Sequence, residues 1–297
     1  GMRDLAPLAI NLAAMLATIW VLWTALCQDV LRDLPTRGFW ATAITVTLAI
    51  CLNLVGVSFT GMEHTLHALL TALACLGLFR LLETGTMPGW LPLALALHPL
   101  IRFEGAAILL AGAWLLLARG KWLAAFTALG LAGLALAVYA ALMMRLGLPI
   151  FPSSVMVKLA PVSPHYFVLD LLRNHGAAPA ILATIVFAHR LLFIEKLSLR
   201  PQSLLVQVAL IPVVLHLVAG RFGWLERYEV YLNVWIALMA CRIYRDQLVY
   251  LCARVRGGML AALAVVGFVF IQQGPINLLL TPFAASNIYE QQYQMHR

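Results

Sequence analysis

Ten apolar stretches follow one another along this chain, at residues 5–27, 39–58, 64–82, 89–101, 104–118, 122–146, 178–195, 202–219, 228–244 and 257–273. A bilayer core about 30 Å thick takes about 20 residues of helix to cross, and most of the stretches are near that length. Of 297 residues, 63% are hydrophobic and 11% are charged, with a mean hydropathy of +0.92. A soluble domain of this size does not have that composition. In hydrocarbon the backbone must satisfy its own hydrogen bonds, which leaves helices or closed barrels. A barrel reads as short alternating segments, whereas these runs are continuous. The expected fold is therefore all-α, a polytopic transmembrane helix bundle of about ten hydrophobic segments, the fourth short enough to be a half-helix. The bundle is expected over residues 1–273, with 274–297 as an outer-face segment. The cysteines at 27, 51, 75, 241 and 252 lie in or beside the apolar runs, with no CxxC spacing, and read as small core hydrophobes.

The charges orient the segments. Twelve of the twenty Lys and Arg fall on one side with five acids, among them Asp29, Arg32, Asp33, Arg190, Glu195, Arg242, Arg245 and Asp246. Eight fall on the other with seven acids, among them Glu63, Arg102, Glu104, Lys158, Arg173, Arg221, Arg227 and Glu229. The positive-inside rule puts the first side in the cytoplasm. The net charge of +8 is then a matter of topology and attraction to anionic membrane lipid, and gives no reason to expect nucleic acid. Both termini fall outside on this count. The chain reads as a fragment cut at both ends, the alternative being a whole protein that starts on the outer side.

The outer turns hold the unusual chemistry. Arg102 and Glu104 interrupt an apolar run, and a charge at a helix centre costs roughly 2.5–3.5 kcal/mol on insertion scales. Pro99 breaks or kinks the segment before them. Two residues apart, the pair does not share a helix face and is expected to splay from a loop. It reads either as an ion pair pinning a re-entrant turn or as a site where arginine binds phosphate and glutamate a sugar hydroxyl. Glu63 opens a helix, as an acid, a metal contact or a carboxylate stabilised by the helix dipole. His64 and His67 lack the spacing of a metalloprotease motif and read as core histidines rather than metal ligands. Lys158 follows a proline-rich loop and either contacts a lipid phosphate or snorkels. An interfacial helix is expected from Ser163 through Asn174. Arg221, Glu226, Arg227 and Glu229 crowd a turn with Trp224, Tyr228 and Tyr231, which the surface reading makes a salt-bridged turn. Asn53 and Gln207, inside apolar runs, are expected to bridge helices. Arg190 is placed to snorkel.

Four elements in order resemble those of the GT-C superfamily of polytopic membrane glycosyltransferases, in particular the subgroup of mycobacterial terminal arabinofuranosyltransferases and their bacterial relatives. They are Thr60-Gly61-Met62-Glu63-His64-Thr65, Arg102-Phe103-Glu104-Gly105, Pro152-Ser153-Ser154-Val155-Met156-Val157-Lys158, and Arg227 to Tyr231. The likeness covers about residues 40–235. It departs where Phe103 replaces a proline and Ser153-Ser154 replaces Asn-Thr. The resemblance implies inverting sugar transfer from a polyprenyl-phosphate donor to a glycan, lipid or protein hydroxyl, at the periplasmic face of a bacterial inner membrane. It gives Glu63, Glu104 and Glu229 catalytic roles orienting hydroxyls. Arg102, Lys158, Arg221 and Arg227, with His64 and Ser153, become substrate-binding residues. No resident cofactor or metal ligand is assigned, and a divalent metal stays an open option. The resemblance also implies a first helix with an acidic loop that carries the main base, and an external soluble domain after residue 273. Neither is found in this sequence, so this chain is expected to transfer no sugar by itself. A secondary transporter or flippase for a lipid-linked saccharide is the alternative.

Overall fold

A computed structural model describes residues 2–60, 63–150, 174–220, 222, 228–254, 280, 281 and 283. Among the described residues every regular element is a helix. In chain order these are α1 Met2–Ala25, α2 Arg37–Cys51, α3 Leu54–Ser58, α4 His64–Thr84, α5 Leu91–Ile101, α6 Ala106–Ala118, α7 Trp122–Arg145, α8 Ala178–His189, α9 Pro201–Ala219, α10 Val230–Ile243 and α11 Arg245–Arg254. The tenth apolar stretch and the interfacial helix expected from Ser163 lie outside the described residues, as does most of 274–297. The chain divides into two compact units, one of Gly1–Leu76 with Gly223–Arg297, the other Gly77–Phe222.

Five helical stretches among the described residues are long and apolar enough to cross a membrane: Ala6–Val30, His64–Thr84, Trp122–Arg145, Ala178–Glu195 and Pro201–Ala219. Four further apolar helices are shorter. The exposed surface carries the same message. Leu123 is 83% exposed on α7, and Phe193 is 73% exposed after α8. Leu134, Val138, Ile185 and Leu192 face outward with them. Water disfavours such surface by about 25 cal/mol per Å², and patches of this extent mark contact with lipid or protein.

In the first unit α1 packs against α2 and α3, and it ends in a π-helical turn, Leu26–Val30, that packs against α10. Residues 39–58 are not one segment. The chain breaks at Asn53, whose φ of 49° is left-handed, a conformation that asparagine tolerates better than the apolar residues around it. The Asn53 side chain then donates to Thr281 Oγ1 at 3.2 Å, so its polar group is used across the fold as expected. The unit has two polar ends. At one, Arg245 donates through Nε to the Val30 carbonyl at 2.9 Å and pairs with Asp33. Asp29 lies buried in the π-helical turn beside them. At the other end, Thr65 donates to Asn11, and both side chains are buried. Residues that the charge pattern assigned to one membrane side, Asp33 and Arg245, thus meet across 212 positions of sequence.

In the second unit α6 lies among α5, α7 and α9, with α8 on α9 and α7 also on α5. Gly112 allows the close approach of α5 and α6, since a Cβ there would come within 2.5 Å of the Leu95 side chain. Trp114 Nε1 donates to Gln207 Oε1 at 3.2 Å, joining α6 to α9 as expected of Gln207. Gln207 donates in turn to the Ser198 carbonyl at 2.8 Å and to Ser203 Oγ at 3.1 Å. Arg190 does not snorkel alone. It pairs with Glu195 at 2.7 Å within the π-helical turn Arg190–Glu195, where both side chains are largely covered.

Candidate functional site

The first unit gathers polar side chains at the start of α4 and just ahead of α10. Glu63 accepts the amide of His67 at 3.0 Å through its carbonyl, so it stands at the N-cap of α4, where the helix dipole favours a carboxylate. His64 and His67 follow one turn apart, each 1% exposed. Their rings meet two tyrosines with the same spacing. His64 lies edge-to-face with Tyr228, centroids 5.7 Å apart at 86°. His67 stacks on Tyr231, centroids 4.1 Å apart at 16°. Residues three apart on a helix occupy one face, so α4 presents His64 to Tyr228 in the turn before α10 and His67 to Tyr231 in its first turn. Glu229 lies between the tyrosines in sequence and is itself 1% exposed. Its carbonyl accepts the Asn233 amide at 2.8 Å. Of the ionisable side chains at this end, Glu63 and Tyr228 reach the surface in part, whereas His64, His67, Glu229 and Tyr231 are sealed.

The second unit holds the other candidate. Arg102 is extended, with φ −149° and ψ 138°, and is followed by a single 3-10 turn, Phe103–Gly105. That geometry brings Arg102 Nη2 to 3.2 Å from Glu104 Oε1 instead of letting the two side chains splay. Both are mostly covered, at 11% and 12% exposure. The turn sits tightly on the end of α5. A Cβ on Gly105 would lie 2.5 Å from the His98 carbonyl carbon and oxygen. His98 is buried, and its Nδ1 donates to the Ala94 carbonyl at 2.8 Å. Pro99 does not stop α5 at once. The helix runs on to Ile101 and ends where Arg102 turns extended.

Within the first unit Glu63, His64 and Glu229 lie in one neighbourhood, and within the second Arg102 meets Glu104. Ser153, Lys158, Arg221 and Arg227 lie outside the described residues. The sequence reading assigned no role to Asn11, Tyr228 or Tyr231. The tyrosines had a signal: His64-x-x-His67 and Tyr228-x-x-Tyr231 share one spacing. Asn11 had only its polarity inside an apolar run. Among the described residues no group of three or more His, Cys, Asp and Glu side chains is placed to hold a metal ion. Chemically, the first neighbourhood offers a carboxylate and a phenol at the surface over a buried polar layer. The second offers a guanidinium whose charge is balanced by its own carboxylate. Comparison of the chain with family models, with curated proteins and with solved structures gave no match.

Proposed function

We propose that this chain is a polytopic membrane glycosyltransferase of the GT-C type, built of about ten membrane segments. It transfers a sugar from a polyprenyl-phosphate donor to an acceptor hydroxyl at the outer face of a bacterial inner membrane. The observation that carries the reading is the meeting of two of the four resembling elements. The Glu63-His64 pair and the Tyr228-Glu229 pair lie far apart in sequence, yet His64 and Tyr228 are in ring contact. The distribution of charge supports it further, because ionisable groups inside an apolar bundle persist where they serve a site.

The transfer is a displacement at the anomeric carbon. A carboxylate takes the acceptor proton as the carbon–oxygen bond forms, and the lipid phosphate leaves with the bonding pair, inverting the centre. Glu63 and Glu104 are the carboxylates available to hydroxyls in this reading, whereas Glu229 is buried at the start of α10; Arg102, Lys158, Arg221 and Arg227 are the cations available to the phosphate. Arg102 meets Glu104 through Nη2, and a guanidinium carries five N–H donors and binds carboxylate and phosphate alike.

The test uses the chain in nanodiscs with a panel of radiolabelled polyprenyl-phosphate sugars and glycan or lipid acceptors. The reading predicts that the chain retains the labelled donor, and that Arg102→Gln weakens this retention about tenfold or more, the order for a hydrogen bond to a charged group. Label in a glycosidic product of inverted configuration would give Glu63 or Glu104 the role of base. In sealed vesicles, donor that crosses the bilayer uncleaved would support a flippase instead.

A further inference from the structure

The second unit gathers basic side chains at one end. α6 stops at Ala118, and Arg119 and Lys121 lie in the turn before α7. Lys196 and Arg200 bound the turn between the π-helical stretch Arg190–Glu195 and α9. Trp114, just ahead of Arg119 on α6, donates to Gln207 Oε1 at 3.2 Å, and Gln207 Nε2 donates to the Ser198 carbonyl at 2.8 Å. The two turns therefore sit at the same end of the packed helices α6 and α9. None of these four cations forms an ion pair among the described residues. Glu195, the acid that precedes the second turn, is taken up by Arg190 at 2.7 Å. Unpaired like charges gathered at one end repel one another, and a bound anion relieves that repulsion.

The second turn has a fixed shape. Lys196 has φ 56° and ψ 155°, a backbone region ordinarily left to glycine. α9 holds it there: Ser203 Oγ donates to the Lys196 carbonyl at 2.7 Å and accepts the Ser198 amide at 3.1 Å. Leu197 and Leu199, between the two cations in sequence, are 77% and 62% exposed, and Trp122, which follows Lys121, is 60% exposed. Unpaired cations interleaved with exposed apolar side chains suit a phospholipid, whose phosphate ester meets the cations while its acyl chains cover the apolar groups. A water-soluble anion would leave the leucines uncovered. We propose that the α6–α7 and α8–α9 turns form a binding site for an anionic phospholipid, in the leaflet that the charge pattern assigns to the cytoplasm. Lys196 and Arg200 hold the phosphate, and Arg119 and Lys121 add to its attraction. A zwitterionic headgroup brings its own cation and fits less well. The site stands independently of the transferase reading.

The experiment measures equilibrium binding of a fluorescent phosphatidylglycerol to the full chain in detergent micelles. Saturable binding is expected, about tenfold or more tighter than that of the matched phosphatidylcholine. Lys196→Gly removes the charge at a backbone position that suits glycine. It is therefore expected to keep the unfolding midpoint and to weaken binding about fivefold, the worth of one basic residue at a membrane surface. Arg200→Gln is expected to weaken binding by a similar factor, and the two together by about their product. Arg37→Gln, at an exposed arginine of the first unit that the charge pattern puts on the same side, is expected to match the wild type. Thermal unfolding of each variant separates lost binding from lost fold. The proposal is overturned if the folded double variant binds phosphatidylglycerol as the wild type does, or if the two lipids bind equally. It is overturned as well if Arg37→Gln weakens binding as much as Lys196→Gly, which would make the effect one of net charge. Displacement of the lipid by millimolar inorganic phosphate would also overturn it, leaving the turns as a site for free phosphate.

Discussion

Tyr231→Ala is expected to lower the stability of the chain by about 3 kcal/mol or more, the cost of truncating a fully buried aromatic residue. Tyr231 is 1% exposed and stacks on His67. Between membrane helices, packing and interhelical contacts replace the hydrophobic effect as the force of association. Losing this ring therefore loosens α10 from α4 and leaves a cavity between them. Tyr231→Phe keeps the stack and is expected to cost much less. The check is the denaturation midpoint of the purified chain in detergent, with hydrogen exchange read at residues 228–233. Equal midpoints for Tyr231→Ala and wild type would mean that the His–Tyr pairs do not fasten the two helices.

Arg102→Ala is expected to be about as damaging, at about 3 kcal/mol, because it leaves the Glu104 carboxylate mostly covered and without its cation. The pair is 3.2 Å apart, and neither side chain exceeds 12% exposure. The double variant Arg102→Met with Glu104→Leu is expected to recover most of that stability, since a buried ion pair replaced by apolar groups of similar volume is often neutral. It is not expected to recover binding of a polyprenyl-phosphate sugar. Stability and donor binding then part company. If the double variant also regained donor binding, the pair would be a structural lock and not a phosphate contact. If Arg102→Ala were as stable as the wild type, the pair would not even be a lock.

How far the fold could be read in advance depended on the kind of signal. The apolar runs gave the helices their places, because hydrocarbon leaves the backbone no other option. The charges near their ends assigned Asp33 and Arg245 to one side without pairing them, and the two meet at one end of the first unit. Gln207 was legible as an interhelical donor because an amide inside an apolar run has few other partners. Asn53 looked the same in sequence, yet its backbone turns left-handed and divides α2 from α3. One residue's φ decides that break, and hydropathy averages over it. Arg102 and Glu104 were expected to splay from a loop, with an ion pair pinning the turn as one of the two readings, and the pair is what forms. Side chains two residues apart do not share a face on a helix, and an extended residue followed by a 3-10 turn escapes that rule. The sealing of Glu229 was not legible either. A charged residue in an aromatic turn looks exposed until Tyr231 and His67 are seen to pack beside it. The two histidines were read as core on their spacing, and both lie buried against tyrosine.

All of this chemistry assumes that the two polar ends of the first unit face opposite sides of one bilayer. The direct measurement is sided labelling in sealed, uniformly oriented vesicles. Cys241 and Cys252, the two half-exposed cysteines, are replaced by serine, and single cysteines are introduced as Glu63→Cys and Asp246→Cys. A membrane-impermeant maleimide should modify position 63 from one side only, and position 246 only from the other or after permeabilisation. Modification of both positions from the same side would contradict the transmembrane reading of α1, α4 and α10, and with it the placing of the site at the outer face.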